Sequence, residues 1–332
     1  MKCIALLSGG LDSCLAVKVV AEQGIEVLAF NFQTAFCSTG SKGASCGDAT
    51  RISDQEKFNL KVIHIGQEYL DMVAKPKHGW GKNMNPCIDC RILMLNKAKE
   101  YMEVTGAKFI ITGEVLGQRP LSQHWRAMKD VERESGLEGL LLRPLSARLM
   151  PPTIPEIKGW IDRDKLCAIE GRQRKEQFAM AKAYGVENPP TPAGGCLLTD
   201  PAYSDRLRDV LEHTGGLTVH LAQVIKYGRY LRLDAKTFTV IGRNQEDNFH
   251  LEALQLPDEW KFRPLNCMGP VALGNGPLDD TAKRSIASML ARYADRPADG
   301  IVQVEARQGR EGAPELFFAT AAEPEAVGAV RV

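Results

Sequence analysis

The chain has 332 residues, 44% hydrophobic and 25% charged, the balance of a globular protein with room for two or three domains. No stretch approaches eighteen uninterrupted apolar residues, which argues against a membrane-spanning helix and against a membrane partner. A net charge of +1 gives no chain-wide signature of nucleic-acid binding, so local patches would have to carry any such role.

The first apolar run, Cys3-Ile4-Ala5-Leu6-Leu7, predicts a buried parallel strand. It stops at Ser8-Gly9-Gly10-Leu11-Asp12-Ser13, where two glycines without Cβ atoms let backbone N–H groups close on an anion. Cys14 to Gln23 has apolar residues at helical spacing, which aims a helix N-terminus at the same anion. Asp12 suits Mg²⁺ or a helix cap, and Ser8 and Ser13 suit donation to phosphate. Because the chain opens on a core strand rather than a secretion signal, the expected compartment is the cytoplasm. The nine cysteines are then expected to be mostly reduced or to serve as ligands.

Further strands are expected over Ile25–Phe32, Leu60–Ile65 and Phe109–Thr112, with helices over Ala49–Phe58 and Ile88–Val104. Strands separated by helices imply an α/β fold with a doubly wound parallel sheet. Ligands in such a fold sit at the carboxyl ends of the strands, which is where Ser8–Ser13, Asn31 and Thr112–Glu114 fall. Leu140-Leu141-Leu142 is another buried segment, and Ile157–Tyr184 is expected to be largely helical with a basic bias. The Pro/Gly-rich stretch Asn188–Gly195 reads as a linker, placing a domain boundary near Asp200. Beyond it come a helical piece (His220–Tyr227), a hairpin (Arg229–Leu233 and Thr237–Ile241) and a helix over Asn248–Leu254. A clear helix (Ala282–Tyr293) and one or two strands (Ile301–Glu305, Glu315–Thr320) follow.

Asn85-Pro86-Cys87-Ile88-Asp89-Cys90 opens a helix, so its C-x-x-C pair can bind a metal, form a redox dithiol or present a low-pKa thiolate. No second pair stands at zinc-site spacing, and Cys37 and Cys46 make a poor partner pair in a Gly/Ser-rich loop. Cys196 follows a glycine-rich turn. Together with Cys87 and Cys90 it would suit a [4Fe–4S] cluster with one open iron, or equally a persulfide relay with a resolving thiol. Cys3, Cys14, Cys167 and Cys267 read as small buried hydrophobes. Residues 75–99 carry six basic side chains against Asp89 alone, a patch able to meet a polyanion.

Ser8–Ser13 resembles the PP-loop, SGG-x-DS, of N-type ATP pyrophosphatases, with no Gly-Lys-Ser/Thr to make a Walker A loop. The Asn-Pro-Cys-x-x-Cys segment with the late Cys196 is similar to tRNA 2-thiouridylases. Thr112-Gly113-Glu114-Val115-Leu116-Gly117-Gln118, Ser122-Gln123 and Arg143-Pro144-Leu145 are similar to tRNA 4-thiouridine synthetases. The resemblance covers roughly the first 200 residues. The resemblance is not expected to extend to the N-terminal RNA-binding module of the synthetases or to a rhodanese-like segment. Val240-Ile241-Gly242-Arg243-Asn244, followed by Asn248, is similar to the RNA-binding domain of NFACT-type proteins over residues 205–265. The expected organisation is thus a PP-loop sulfurtransferase domain over 1–200 and a smaller α+β RNA-binding region over 201–332, of which 266–332 is an extension.

These resemblances imply ATP and Mg²⁺ as cofactors, a [4Fe–4S] cluster on Cys87, Cys90 and Cys196, and tRNA as partner. A sulfur donor, either sulfide or a cysteine desulfurase, is also implied, and a homodimer is left open. Nucleotide contacts are expected from Ser8, Gly9, Gly10, Leu11, Asp12, Ser13, Asn31, Thr112, Gly113 and Gln118, with Asp12, Cys87 and Cys196 catalytic and Asp12 on Mg²⁺. RNA contacts are expected from Lys82, Arg91, Arg119, Arg229, Arg232 and Arg243. A uridine oxygen would be adenylated and replaced by sulfur, releasing AMP and pyrophosphate. The rivals are a PP-loop ligase that activates a carboxylate, and a non-catalytic RNA-binding adaptor.

Overall fold

A computed structural model describes residues 1–37, 48–186 and 196–332, which form two compact units, Met1–Asp200 and Pro201–Val332. Cys46 and the expected linker Asn188–Gly195 lie outside the described residues. The first unit runs β1 (Lys2–Leu6), α1 (Leu11–Ala21), β2 (Glu26–Gln33), α2 (Asp48–Glu56), β3 (Asn59–His64) and α3 (Gln67–Ala74). It continues through α4 (Cys87–Thr105), β4 (Ile110–Thr112), α5 (Trp125–Glu134), β5 (Leu141–Leu142), α6 (Ile154–Ile157) and α7 (Lys175–Ala183).

Its five strands are all parallel in the order β3-β2-β1-β4-β5, with Ala5 level with Ala29 on one side and Ile111 on the other. Parallel pairing needs crossovers, and the helices supplying them cover both faces, which is why Cys3 through Leu7 are apolar without alternation and all buried. Helices α1 and α7 pack together over one face and α3, α4 and α5 over the other. The strand order reverses between β1 and β4, and a crevice opens there beyond their carboxyl ends.

Ile157–Tyr184 departs from the sequence expectation. Only α6, a single turn at Arg163–Lys165 and α7 are helical there. Gly159 and Gly171 take the left-handed conformation (φ 64° and 82°), and Leu116 pairs with Glu170 in an isolated parallel bridge. Leu166 and Ile169 are buried in the core of the unit, so their spacing reflects an irregular strap laid over the sheet rather than a helix face.

The second unit runs α8 (Pro201–Thr214), α9 (Val219–Val224), β6 (Arg229–Arg232), β7 (Phe238–Ile241), α10 (Gln245–Leu254) and β8 (Trp260–Pro264). Then come β9 (Ala272–Asn275), α11 (Asp280–Arg292), β10 (Val302–Gln308), β11 (Pro314–Ala319) and α12 (Pro324–Ala329). Six antiparallel strands form one sheet, β11-β10-β8-β9-β7-β6, with α11 packed on its core face through Ile286, Ala287 and Leu290. Strands β9, β10 and β11 come from beyond residue 265 and complete the same sheet. The division expected at 265/266 therefore cuts through a single hydrogen-bonded layer.

Candidate functional site: a nucleotide loop and three thiols on one cavity

The loop after β1 is held by its own serines. Ser13 Oγ donates to Gly10 O at 2.8 Å and accepts from Ser8 N at 3.3 Å, while Gly9 takes φ 82°. That left-handed residue lets the chain turn onto α1, whose first turn faces the crevice with its unpaired N–H groups. Gly113, just after β4, lies so close that a Cβ there would stand 2.4 Å from Ser13 N. A side chain at 113 would therefore push α1 away from the sheet.

Asp12, in the first turn of α1, accepts from Gln118 Nε2 at 3.0 Å and from Arg174 Nη2 at 3.3 Å, both through Oδ2. Its Oδ1 is buried with no hydrogen-bond partner. A buried carboxylate oxygen left open beside an anion-binding loop fits a Mg²⁺ ligand, since an unsatisfied charged oxygen is costly without a partner. Arg174 was not among the residues singled out in the sequence. It stands just before α7, and only the basic bias of its segment pointed near it.

A cavity of about 260 Å³ extends from this loop. Ser8, Gly10, Leu11, Asp12, Ser13, Asn31 and Gly113 line it, and so do Cys87, Cys90 and Cys196. Cys87 begins α4, Cys90 lies one turn on, and Cys196 caps a short turn over Leu197–Thr199. The approach of Cys196 is fixed by hydrogen bonds to the carbonyls that follow it: Met84 N donates to Leu198 O at 3.1 Å, and the Asn83 side chain donates through Nδ2 to Thr199 O at 2.7 Å. All three cysteines are free thiols.

Burial pushes the Cys196 thiol up to about 12, with Cys90 and Cys87 adding to the rise. Burial also raises Cys87, and Arg119 and Arg91 oppose it. Tyr69 donates to Cys90 Sγ at 3.2 Å. Asp89, between the two cysteines, faces elsewhere: its carboxylate accepts from Lys77 N, His78 N and the His78 ring. Among the described residues no group of three or more His, Cys, Asp or Glu could hold a metal ion. As a donor set, however, three soft thiols free of an interposed carboxylate match the ligand chemistry of an iron–sulfur cluster, which spans more space than one ion.

Several expected contacts have other work. Asn31 lines the cavity, but its Nδ2 donates to Leu7 O at 2.8 Å, so it pins the end of β1 to β2. Thr112 is buried and donates to Glu114 at 3.1 Å. Glu114 accepts from Arg143 and pairs with Arg91 at 3.1 Å. Burial would raise its carboxyl, and the two guanidiniums outweigh that and hold it below the usual range. Arg91 is thus a cavity wall braced by Glu114 rather than a free RNA contact. Lys77 and Lys97 pair with Glu134 and Glu68, so with Arg91 three of the six basic side chains over 75–99 have acidic partners. Lys82 and Arg119 are exposed, and Arg119 also lines the cavity.

In the second unit Arg232 is a correction. Its side chain is 11% exposed and grips Asp209 Oδ2 through Nε at 2.9 Å and Nη2 at 2.6 Å, so it holds the fold together. Arg229 donates to Gly242 O at 2.9 Å and lies over the Tyr293 ring. Arg243 pairs with Asp247 at 2.8 Å and remains half exposed. The Gly242-Arg243-Asn244 motif has a local cause. Asn244 caps α10 by accepting from Asp247 N, and Asn248 Oδ1 fills the space that a Cβ on Gly242 would need.

Residues 1–148 match the family model of the thiamine biosynthesis protein ThiI, and residues 228–329 match that of the NFACT protein RNA binding domain. A probable tRNA sulfurtransferase of Thermococcus kodakarensis is 30% identical over 154 residues, covering 43% of this chain and 36% of its own. The tRNA-specific 2-thiouridylase MnmA of Geotalea uraniireducens is 25% identical over 203 residues, covering 55% of this chain and 50% of its own. A 4-thiouridine synthetase solved with RNA and ATP is 20% identical, covering 60% of this chain and 45% of its own at a TM-score of 0.39. The chain spans half or less of the length of these relatives. It joins a first unit that resembles the PP-loop tRNA-thiolating enzymes to a second that is similar to the NFACT-type RNA-binding domain.

Proposed function

We propose that the chain is an ATP-dependent tRNA-uridine sulfurtransferase with its reaction centre in the first unit. The observation carrying this reading is that the Ser8–Ser13 loop and the thiols of Cys87, Cys90 and Cys196 open on one cavity. Activation and sulfur delivery need that proximity, because the adenylated base must meet sulfur without being released to water.

The phosphates of ATP would lie on the loop amides and the N-terminus of α1, with Asp12 Oδ1 holding Mg²⁺ and Arg174 adding positive charge. The carbonyl oxygen of a uridine attacks the α-phosphorus and the bond to pyrophosphate breaks. Sulfur then bonds to the same ring carbon, and the carbon–oxygen bond breaks, the oxygen leaving as part of AMP. Arg119, exposed and on the cavity wall, would hold the incoming nucleotide, which must be unstacked to reach the cavity. Cys87, Cys90 and Cys196 would hold a [4Fe–4S] cluster, which when bound supplies an open iron to carry sulfide. The experiment is tRNA-dependent ATP–pyrophosphate exchange followed by nucleoside mass spectrometry of the product. Exchange without thiouridine would remove the sulfur half of the reading, and no exchange would remove both.

A further inference from the structure

The second unit carries an aromatic face that the reaction centre does not explain. Phe249, on α10, is 68% exposed, a costly place for a ring of that size unless something covers it. It meets His250 edge-on at 5.7 Å, and His250 stacks on Tyr227 at 4.4 Å with the planes 15° apart. Of the three rings Phe249 is the exposed one, and the half-buried His250 and Tyr227 stack behind it.

Charge of both signs gathers at the N-terminal end of α10, where Glu246 and Asp247 stand in its first turn just after Arg243. Arg229 feels the positive fields of Arg243 and Arg331, so three guanidiniums share one neighbourhood. Asp247 neutralises one of them: its carboxylate accepts from Arg243 N, Nε and Nη2 and from the backbone N–H of Gly228. Asp247 also links the two features, because Tyr227 lies within its field and that of Glu246. Arg243 is 49% exposed, and this clamp fixes its guanidinium without covering it. Arg229 is fixed as well, over Tyr293 at 4.0 Å. Guanidiniums ordered in advance lose little freedom when they take up a phosphate.

We infer that Phe249, His250 and Tyr227, with Arg243 just before α10, form a docking surface for an unpaired stretch of RNA: a base stacks on the exposed Phe249 ring and a backbone phosphate meets Arg243. Stacking on an aromatic side chain is available to any base that is not already paired, and the guanidinium supplies the sequence-independent charge. Duplex RNA hides its base faces and would use only the charge. The inference rests on the reading that RNA is the partner, and it concerns a surface outside the reaction cavity.

The test uses the full-length protein and a fluorescent oligouridylate, with a blunt RNA duplex as comparison, titrated without ATP over a series of salt concentrations. Phe249→Ala should weaken oligouridylate binding by about fivefold to a hundredfold, the range for losing one stacked base, and leave the salt slope unchanged. Phe249→Trp should restore it, and duplex affinity should not respond to either change. Arg243→Gln leaves Asp247 without its cation, so it is read at a temperature where the variant is folded, and it should flatten the salt slope by no more than about 0.7, one single-strand phosphate. Oligouridylate binding that is absent in the native protein, or unaltered in Phe249→Ala, overturns the inference. ATP–pyrophosphate exchange is scored separately: a native protein lacking exchange but showing the Phe249 effect has lost the sulfurtransferase reading and kept this surface.

Discussion

Arg174 donates to Asp12 at 3.3 Å although 162 residues separate them in the chain. The contact ties the strap before α7 to the first turn of α1, so the last helix of the first unit helps to set the nucleotide loop. Asp12 Oδ2 is shared between Arg174 and Gln118, while Oδ1 is buried without a hydrogen-bond partner.

Asp12→Ala should abolish ATP–pyrophosphate exchange, and Arg174→Ala should lower kcat/KM for ATP by about a hundredfold, the scale for losing one charge-stabilising group in a reaction centre. Both residues are partly open to the cavity, so thermal unfolding should barely move. Arg174→Lys should recover only part of the loss, since a lysine cannot present the same fork. Exchange at the native rate in Asp12→Ala would remove the PP-loop assignment.

Arg232→Ala should act on stability and not on RNA affinity. Asp209 would be left buried without its charge partner, a loss of about 3 kcal/mol for a pair so little exposed. Unfolding of the second unit should shift down by several degrees, while oligouridylate binding at a temperature where the variant is folded stays native. Normal unfolding with lost RNA binding would restore the arginine to the interface.

These two arginines mark where the sequence could be read and where it could not. The β1–α1 loop and the succession of strands and helices along the first unit follow from local pattern: apolar runs of strand length, glycines at the turn and 3.6-residue spacing after it. What a side chain meets across the fold leaves no such mark. Arg232 was expected at an interface because its neighbours are basic and aromatic, yet Asp209 lies 23 residues upstream on α8. Strands β8 and β9 were invisible for another reason. Trp260-Lys261-Phe262-Arg263 and Ala272-Leu273-Gly274 are too short and too mixed to stand out from loop, and they are strands because the sheet on either side pairs them.

Alkaline pH should unfold the first unit early. Cys3 and Cys14 have thiols pushed by burial from a usual value near 9 up to about 12. Between those values the unfolded chain has released these protons and the folded chain keeps them, so stability falls as pH rises, by about 1.4 kcal/mol per unit for each thiol. Below pH 9 they contribute no slope. Denaturant unfolding from pH 8 to 11 should show the decline, and Cys14→Ala should make it shallower. An unchanged slope in that variant would show that Cys14 is not responsible.

Serine at Cys87, Cys90 or Cys196 should abolish thiouridine formation while leaving ATP–pyrophosphate exchange close to native. In the proposed reaction activation would need the loop, Asp12 and Arg174 and sulfur delivery would need the thiols, so one cavity should yield two separable defects. A carboxylate-activating ligase would need none of these thiols, and a native protein that forms no thiouridine would favour that rival. Purified without oxygen, the native protein should be brown from thiolate-to-iron charge transfer, and each serine variant should lose the colour, because three ligands are the minimum for a cluster with one open iron. Cys196 discriminates most sharply. Its thiol is raised to about 12, so at neutral pH it is a poor nucleophile unless a metal displaces its proton. A colourless anaerobic protein that still thiolates tRNA would reject the cluster and leave Cys87 and Cys196 as the relay pair.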